Sequence, residues 1–207
     1  MHEAQLNLKL LTLFDKFEKI PDLSEMHNYI NFNAKCNIGK NLELLDKNRF
    51  NLILHPKSKG SAKEWGTDNF EKLTEILPKD KFKIFICGTE NERKLMPELA
   101  EREDVTDLTG TMSLNEYISF IAHADGLVAA STGPLHIAAV TNINAIGIYP
   151  PIRPMHSGRW AALGNKVKIF ETKKECETCR KTTFCQCMRD VTPQAVQNYL
   201  MLICKNK

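Results

Sequence analysis

The stretch "GLVAASTGPLHIAAVTNINAIGIY", residues 126–149, contains two short apolar runs with a helical segment between them. The runs at residues 126–130 and 144–149 have the length and apolar content of strands that are buried on both faces. The segment 133–141 begins with Gly-Pro, and proline is favoured in the first turn of a helix. Strand, helix and strand in this order predict part of a parallel sheet that helices cover on both faces.

The same alternation continues on both sides of this stretch. Further apolar runs of strand length lie at residues 51–55, 82–87 and 166–170. Helical patterns lie at residues 69–77, 92–102, 113–124 and 192–203. Pro97 argues against a helix over the first half of the segment 92–102. We therefore predict an α/β fold over residues 51–207, a Rossmann-like parallel sheet with helices on both faces. Ligands bind beyond the carboxyl ends of the strands in such sheets.

Residues 1–50 differ in pattern from the rest of the chain. Apolar side chains at helical spacing predict a helix over residues 4–18, which Pro21 ends. Residues 22–50 are mixed and rich in Asn, which indicates a linker with one weak strand and a short helix near Leu42–Asp46. We expect residues 1–50 to be an N-terminal helix and linker outside the main domain.

Composition excludes several classes of protein. The chain has 207 residues and a formal net charge of +3, which is too small for the basic footprint of a nucleic-acid-binding domain. No apolar run approaches the roughly 20 residues of a transmembrane helix. The N-terminus also lacks the basic start and the small-residue cleavage site of a signal peptide. We therefore expect a cytoplasmic protein.

The loop "HPKSKGSAKEW", residues 55–65, follows the strand at 51–55 and supplies hydroxyls, lysines and one glycine. Phosphate oxygens bind N–H donors, hydroxyls and positive charge, so this composition fits a phosphate site. The glycine spacing of a P-loop is missing, as is the G-x-G-x-x-G of a dinucleotide-binding oxidoreductase. The alternative is a solvated, lysine-rich loop.

The segment "ASTGPLH", residues 130–136, follows the strand at 126–130 and combines small residues, two hydroxyls and a histidine. The free N–H groups at a helix start attract an anion. Ser131 and Thr132 add hydroxyl donors, and His136 lies at the same helix end. The alternative is an ordinary helix cap beside a histidine that is satisfied within the core.

The segment "GTMSLNEY", residues 110–117, carries a capping box in which Ser113 caps a helix and Glu116 caps it in return. Capping accounts for both residues. Met112 lines an apolar pocket or simply packs in the core.

Four of the seven cysteines lie in "CETCRKTTFCQC", residues 176–187, with the spacing C-x2-C-x5-C-x-C. Four thiolates this close suit a tetrahedral zinc ion, although the spacing is not that of a zinc ribbon. One reading is therefore a small zinc protein with Cys176, Cys179, Cys185 and Cys187 as ligands. The other is free thiols in a loop before the last helix.

Taken in order, the stretches "HPKSKGSAKEW", "CGTENE", "LTGTMSLNEY" and "STGPLHIAA" resemble glycosyltransferase family 9, the ADP-heptose:lipopolysaccharide heptosyltransferases. The family has a His-containing, Ser/Thr-rich loop with Lys-x-Trp, then a strand followed by Gly and acidic residues. Leu-x-Gly-x-x-Ser-Leu and Asp-Thr-Gly-x-x-His-x-x-Ala follow. The resemblance covers about residues 51–203, and residues 1–20 look similar to the end of the family's first half.

The resemblance implies the C-terminal half of a GT-B fold, which binds a nucleotide-diphosphate sugar such as ADP-heptose. It implies inverting transfer to a lipopolysaccharide inner-core or other glycolipid acceptor, without a metal or other cofactor. The acceptor half, with the catalytic base, is then absent, so a separate N-terminal half is an implied partner. The alternative is a catalytically incomplete nucleotide-binding or interaction module. A lipid-linked acceptor implies a peripheral position at the inner face of the cytoplasmic membrane.

By position, the resemblance assigns ten donor-binding residues. Ser58 and Lys63 would meet the diphosphate and nearby sugar oxygens, Glu90 or Glu92 the ribose hydroxyls, and Met112 the adenine. Thr132, Gly133, Pro134 and His136 would surround the diphosphate and sugar. Outside these ten, the loop after the strand at 144–149 contains Arg153, His156 and Arg159, which would add positive charge near the phosphates. The alternative for these three is a structured, Pro-rich loop. Ser131 replaces the family's common Asp. A serine hydroxyl binds a sugar hydroxyl less strongly than a carboxylate does, so the donor is heptose or another hexose-like sugar.

Overall fold

Six strands form one sheet within the described residues of the computed structural model, which are 1–13, 19–30, 32, 38–172 and 185–206. The strands are β1 (Phe50–His55), β2 (Phe82–Ile86), β3 (Thr106–Asp107), β4 (Gly126–Ala130), β5 (Asn144–Tyr149) and β6 (Val167–Glu171). All neighbouring strands pair in parallel, in the order β3-β2-β1-β4-β5-β6. The predicted α/β fold with a parallel sheet is confirmed. The order changes direction between β1 and β4, so the loops after these two strands diverge and leave a crevice.

Helices cover both faces of the sheet, as predicted. They are α1 (Glu3–Leu11), α2 (Thr67–Ile76), α3 (Glu90–Arg93), α4 (Pro97–Ala100), α5 (Leu114–His123), α6 (Gly133–Val140), α7 (Ser157–Trp160), α8 (Gln186–Arg189) and α9 (Pro193–Ile203). Short 3₁₀ helices lie at Met26–Tyr29, Lys40–Leu44 and Cys204–Asn206. None of the helices in the described ranges has the length and apolar character needed to cross a membrane.

The core consists of two layers, one on each face of the sheet. Successive residues of a strand point to opposite faces. Leu52 and Leu54 of β1 accordingly join one layer with α2 and α9, whereas Ile53 joins the other with α5 and α6. Almost every residue of the four central strands is buried. Continuous apolar runs are therefore the sequence pattern of this sheet.

Three local expectations need correction. The pattern at 92–102 forms two short helices, α3 and α4, because Pro97 has no N–H and occupies the first position of the second helix. The short helix expected near Leu42–Asp46 is a 3₁₀ helix at Lys40–Leu44. The weak strand expected within 22–50 is absent from the described part of that range. In addition, the sequence analysis did not predict the edge strand β3, which has only two residues, too few for the apolar pattern of a strand to be recognised.

The N-terminal helix α1 ends at Leu11, earlier than the predicted end near Pro21, and residues 14–18 lie outside the described residues. None of its side chains is buried, and helices of this length are marginal without packing. Its start is attached to the main domain. The His2 Nε2–H donates to the Ala161 carbonyl at 2.8 Å, and Glu3 forms an ion pair with Arg159 at 2.8 Å.

Candidate functional site

Two adjoining cavities lie at the carboxyl ends of β1, β2 and β4. The first cavity, of about 420 Å³, lies between the loop after β1, the start of α3, the start of α5 and the start of α6. The second cavity, of about 260 Å³, lies on the other side of the start of α6 and is bounded by the loop after β5. The two cavities share Ser61, Thr132 and Gly133 in their linings.

A cavity of about 540 Å³ lies at the opposite end of the sheet, where its lining includes Asp125 and Asn144. It is larger than either of the two adjoining cavities, but it contains none of the residues predicted from the sequence. Its position at the amino ends of the strands is also not where open parallel sheets bind ligands. We therefore assign the candidate site to the two adjoining cavities.

All ten residues that the sequence predicts as donor-binding line one of these two cavities. The first cavity contains Ser58, Glu90, Glu92, Met112, Thr132, Gly133 and Pro134, and the second contains Lys63, Ser131, Thr132, Gly133 and His136. These residues come from four loops that are far apart in the chain. The parallel sheet brings them together because every strand that precedes them ends at the same edge.

The loop after β1 is organised by Glu64. Its carboxylate accepts hydrogen bonds from the Ser58 N–H at 2.9 Å and the Ser58 hydroxyl at 3.0 Å, and it pairs with Lys57. The Ser58 hydroxyl also lies 2.9 Å from the Ala62 carbonyl. The Ser58 side chain therefore shapes the loop. The exposed cation at the first cavity is Lys59, whose backbone is left-handed with φ +49°.

The two glutamates of the loop after β2 have different environments. Glu92 is buried and accepts hydrogen bonds from the Thr89 N–H at 2.7 Å and the Thr89 hydroxyl at 2.9 Å, which is the capping box of α3. Glu90 is exposed at the rim of the first cavity. Of the two carboxylates, Glu90 is therefore the better placed to accept hydrogen bonds from the hydroxyls of a ligand.

The start of α6 forms the wall between the two cavities. The N–H groups of Leu135 and His136 both donate to the Thr132 carbonyl, at 3.1 and 3.4 Å, and proline has no N–H. In the described part of the chain this leaves the exposed Gly133 N–H as the backbone donor at this end. A Cβ atom on Gly133 would meet nothing within 4 Å, so this face of the helix is open.

The side chains beside the start of α6 are already placed by their neighbours. Ser131 shares a hydrogen bond with the Tyr149 hydroxyl, and burial raises the pKa of Tyr149 to about 12. Burial and the nearby His2 lower the pKa of His136, so this imidazole is neutral near pH 7. A neutral imidazole both donates and accepts a hydrogen bond, which suits a hydroxyl-bearing ligand.

A hydrogen-bonded chain of the buried His55 and Cys87 and the half-buried Tyr117 forms the floor of the first cavity. His55 Nδ1 lies 3.1 Å from the Tyr117 hydroxyl, and that hydroxyl also bonds the Cys87 thiol. Burial lowers the pKa of His55 and raises the pKa values of Cys87 and Tyr117. All three groups are therefore neutral at pH 7. The floor therefore offers polar contacts without charge.

Stability should fall as the pH falls below the ordinary histidine pKa of 6.5. Because the folded pKa values of His55 and His136 are lowered, the unfolded chain binds more protons on these two histidines than the folded chain does. The stability is therefore unaffected above pH 6.5 and falls by up to about 1.4 kcal/mol per pH unit for each histidine below it. Urea unfolding between pH 7.5 and 5.5 measures this slope. His55→Gln should reduce the slope by about half; an unchanged slope would contradict the assignment.

Several residues at the cavities were not among the ten that the sequence analysis assigned, although His55, Lys59 and Thr89 lie in stretches that it singled out. They are His55, Lys59, Thr89, Leu114 and Tyr117 at the first cavity, and Pro150, Met155 and Trp160 at the second. The positions of Leu114 and Tyr117, one helical turn apart directly after the cap Ser113, are a signal for the first cavity that the sequence does contain. No comparable pattern marks Met155 and Trp160.

The cations predicted from the loop after β5 do not reach the cavities in the described part of the chain. Arg153, His156 and Arg159 are absent from both linings. Arg159 pairs with Glu3 and lies against the Trp160 ring. His156 occupies the cap position of α7.

The predicted zinc cluster is only partly described. Cys185 and Cys187 are buried in the core layer that contains α2 and α9, whereas Cys176 and Cys179 lie outside the described residues. Among the described residues, no group of three or more His, Cys, Asp or Glu side chains is arranged to hold a metal ion. The zinc site remains a prediction.

Comparisons with known proteins point to one family. The sequence model described as glycosyltransferase family 9 (heptosyltransferase) matches residues 10–188. The lipopolysaccharide core heptosyltransferase OpsX of Haemophilus influenzae is 23% identical over 141 residues, which is 65% of this chain and 40% of OpsX. Lipooligosaccharide heptosyltransferase 2 of the same organism is 25% identical, and the match covers 65% of this chain and 41% of that protein. The chain thus spans about two fifths of the length of these relatives.

Solved structures share the fold at low sequence identity. Escherichia coli ADP-heptose lps heptosyltransferase II matches with a TM-score of 0.65 and 19% identity, over 83% of this chain and 54% of that one. E. coli heptosyltransferase WaaC, solved with ADP, matches with a TM-score of 0.60 and 20% identity, over 78% of this chain and 47% of that one. The family match covers most of the chain, and the chain belongs to glycosyltransferase family 9.

Proposed function

We propose that this chain is the donor-binding part of a glycosyltransferase, and that it binds a nucleoside-diphosphate sugar similar to ADP-heptose. One observation carries the proposal. In a member of glycosyltransferase family 9, ten residues assigned to donor binding from sequence line two adjoining cavities at one edge of the sheet.

The two cavities suggest how the donor is arranged. The first cavity offers the nucleobase an apolar wall of Met112 and Leu114 above the neutral His55 and Tyr117, and Glu90 accepts bonds from the ribose. The diphosphate then lies at the junction of the cavities, beside the Gly133 N–H. The sugar extends past Gly133 into the second cavity. The solved WaaC complex with ADP shows that a protein of this fold binds an adenine nucleotide.

The proposed reaction is inverting transfer of the sugar to a lipopolysaccharide core acceptor. The bond from the anomeric carbon to the diphosphate breaks as the acceptor hydroxyl attacks, and a base takes the proton of that hydroxyl. The described residues contribute to the leaving-group side: the Gly133 N–H and the α6 dipole stabilise the departing diphosphate, and Lys59 lies at the rim.

The acceptor side is proposed to lie on further polypeptide. The family resemblance assigns the base and the acceptor to an N-terminal half, and the chain spans about two fifths of its relatives. Residues 1–50 are then the linker to that half. We propose that the assembled enzyme works at the inner face of the cytoplasmic membrane, where its lipid-linked acceptor lies.

Calorimetry tests the proposal directly. The 207-residue chain is titrated with ADP, UDP and GDP and with ADP-glucose, UDP-glucose and GDP-mannose. We expect at least one nucleoside diphosphate to bind with a Kd below about 1 mM, the weak end of specific binding. A folded sample that binds none of the six compounds would refute the proposal.

A nucleotide-binding module without turnover is a second candidate, and the partial span of the relatives favours it. Donor turnover separates the two functions. If the chain together with a supplied acceptor half binds the nucleotide but transfers no sugar to a lipid A–Kdo acceptor, the module is favoured. Transfer excludes it.

A further inference from the structure

We infer that Trp160 determines specificity for the sugar of the donor. The C–H face of this sugar stacks on the indole ring of Trp160 in the second cavity. This inference rests on the proposed function. It adds a residue from α7, outside the predicted donor-binding residues, and it names the kind of group that the second cavity binds: a pyranosyl ring held by apolar contact.

The first argument is the unexplained exposure of two large apolar side chains. Met155 and Trp160 are 40% and 37% exposed, and both line the second cavity. Neither belongs to the two core layers. Pro150 adds a third apolar group to the same wall. Exposed apolar groups that converge on one cavity are a feature of ligand-binding grooves.

The second argument is the polar content of the second cavity. Its described lining contains no carboxylate, so sugar hydroxyls have no charged acceptor there. Ser131 is already bonded to Tyr149, and Thr132 is buried. Lys63 and His136 also line this cavity as hydrogen-bond partners for sugar hydroxyls, and most of the other side chains of this lining are apolar. The apolar C–H face of a pyranose is the group that this wall complements, and an indole offers the largest apolar area of any side chain.

The third argument is that the protein contacts both the backbone and the ring of Trp160. The Tyr149 hydroxyl donates to the Trp160 carbonyl at 2.9 Å, which ties α7 to the end of β5. The Arg159 guanidinium lies 5.4 Å from the centroid of the indole ring, and Arg159 is fixed by its ion pair with Glu3. A ring fixed before the ligand arrives loses little conformational freedom on binding, which favours affinity.

Tryptophan fluorescence provides a direct test without any mutation. The chain has two tryptophans, and Trp65 is 0% exposed whereas Trp160 is 37% exposed, so a soluble quencher such as acrylamide reaches mainly Trp160. We expect a saturating sugar nucleotide to lower the quenching constant at least twofold. The matching nucleoside diphosphate should leave the constant nearly unchanged. Equal protection by both compounds would overturn the inference.

Two variants separate this inference from the proposed function. For a nucleoside diphosphate that binds, Trp160→Ala should weaken binding of its sugar conjugate five- to twentyfold and leave the nucleoside diphosphate itself within twofold. Trp160→Phe should restore most of the loss, because a phenyl ring still offers a flat apolar face. Equal losses for both ligands, or no loss for either, refute the inference while the proposed function stands. If no nucleotide binds the wild-type chain, the proposed function has failed and this inference with it.

Discussion

Replacing Gly133 by Asp is expected to weaken nucleotide binding at least a hundredfold while the fold remains intact. Gly133 lines both cavities, and its Cβ position is open, so the new carboxylate would lie at the proposed diphosphate position. Two like charges about 5 Å apart repel by about 3 kcal/mol at an effective dielectric near 20. Each 1.4 kcal/mol is a factor of ten in affinity. An acidic residue in the first turn of α6 favours the helix dipole, so the helix itself does not lose stability.

Calorimetry with the nucleotide that binds the wild-type chain measures this effect, and two controls isolate the charge. Gly133→Asn has nearly the same shape without the charge and should lose less than tenfold. Gln194→Asp adds the same charge to the exposed first turn of α9 and should leave binding unchanged. If Gly133→Asp binds as well as Gly133→Asn, the diphosphate does not lie at the start of α6.

Replacing Trp65 by Ala is expected to lower the free energy of unfolding by about 3–5 kcal/mol, the usual cost of removing a large aromatic side chain from a core. Trp65 is 0% exposed and packs edge-on against Phe70, with ring centroids 4.9 Å apart. Its indole N–H donates to the Val191 carbonyl at 2.7 Å. One side chain thus joins the end of the loop after β1 to the segment before α9, and its loss leaves both a void and an unpaired carbonyl.

Urea unfolding followed by circular dichroism measures this loss. Trp65→Phe keeps most of the volume but removes the N–H donor, so it should lose about 1–3 kcal/mol. Trp160→Ala removes the other tryptophan from a partly exposed position and should change stability by less than 1 kcal/mol. Equal losses in Trp65→Ala and Trp160→Ala would show that the loop is not anchored through Trp65.

The predicted elements that the structure confirms are those whose signals are local. The capping box of Ser113 and Glu116 forms, with the serine hydroxyl 2.7 Å from the carboxylate. Thr192 caps α9 directly before Pro193, at the helix position where proline is favoured. The strands are recognisable because burial on both faces requires an unbroken apolar run. These choices depend on neighbours a few residues away, so the sequence alone contains them.

For the candidate site, the sequence selects the residues and the structure shows what their side chains contact. Four motifs in order were enough to select ten residues that line two adjoining cavities, since a parallel sheet ends all its strands at one edge. What each side chain does there is a tertiary property. The Ser58 hydroxyl and the Glu92 carboxylate are groups that suit a ligand, but both bond within their own loops. Ser58 bonds to Glu64, and Glu92 bonds to Thr89.

The sequence by itself determined that this chain is a parallel α/β protein of the glycosyltransferase family 9 pattern and which loops line the two adjoining cavities. Hydrophobic periodicity and helix caps are local patterns of a few residues. A sequence that forms a buried parallel sheet with helices on both faces must contain them. Only the tertiary structure decided that α1 ends at Leu11 and attaches through Glu3 to Arg159, and that Trp160 lies beside the start of α6. These contacts join residues more than a hundred positions apart or on separate loops, and their energies depend on packing that no local pattern records.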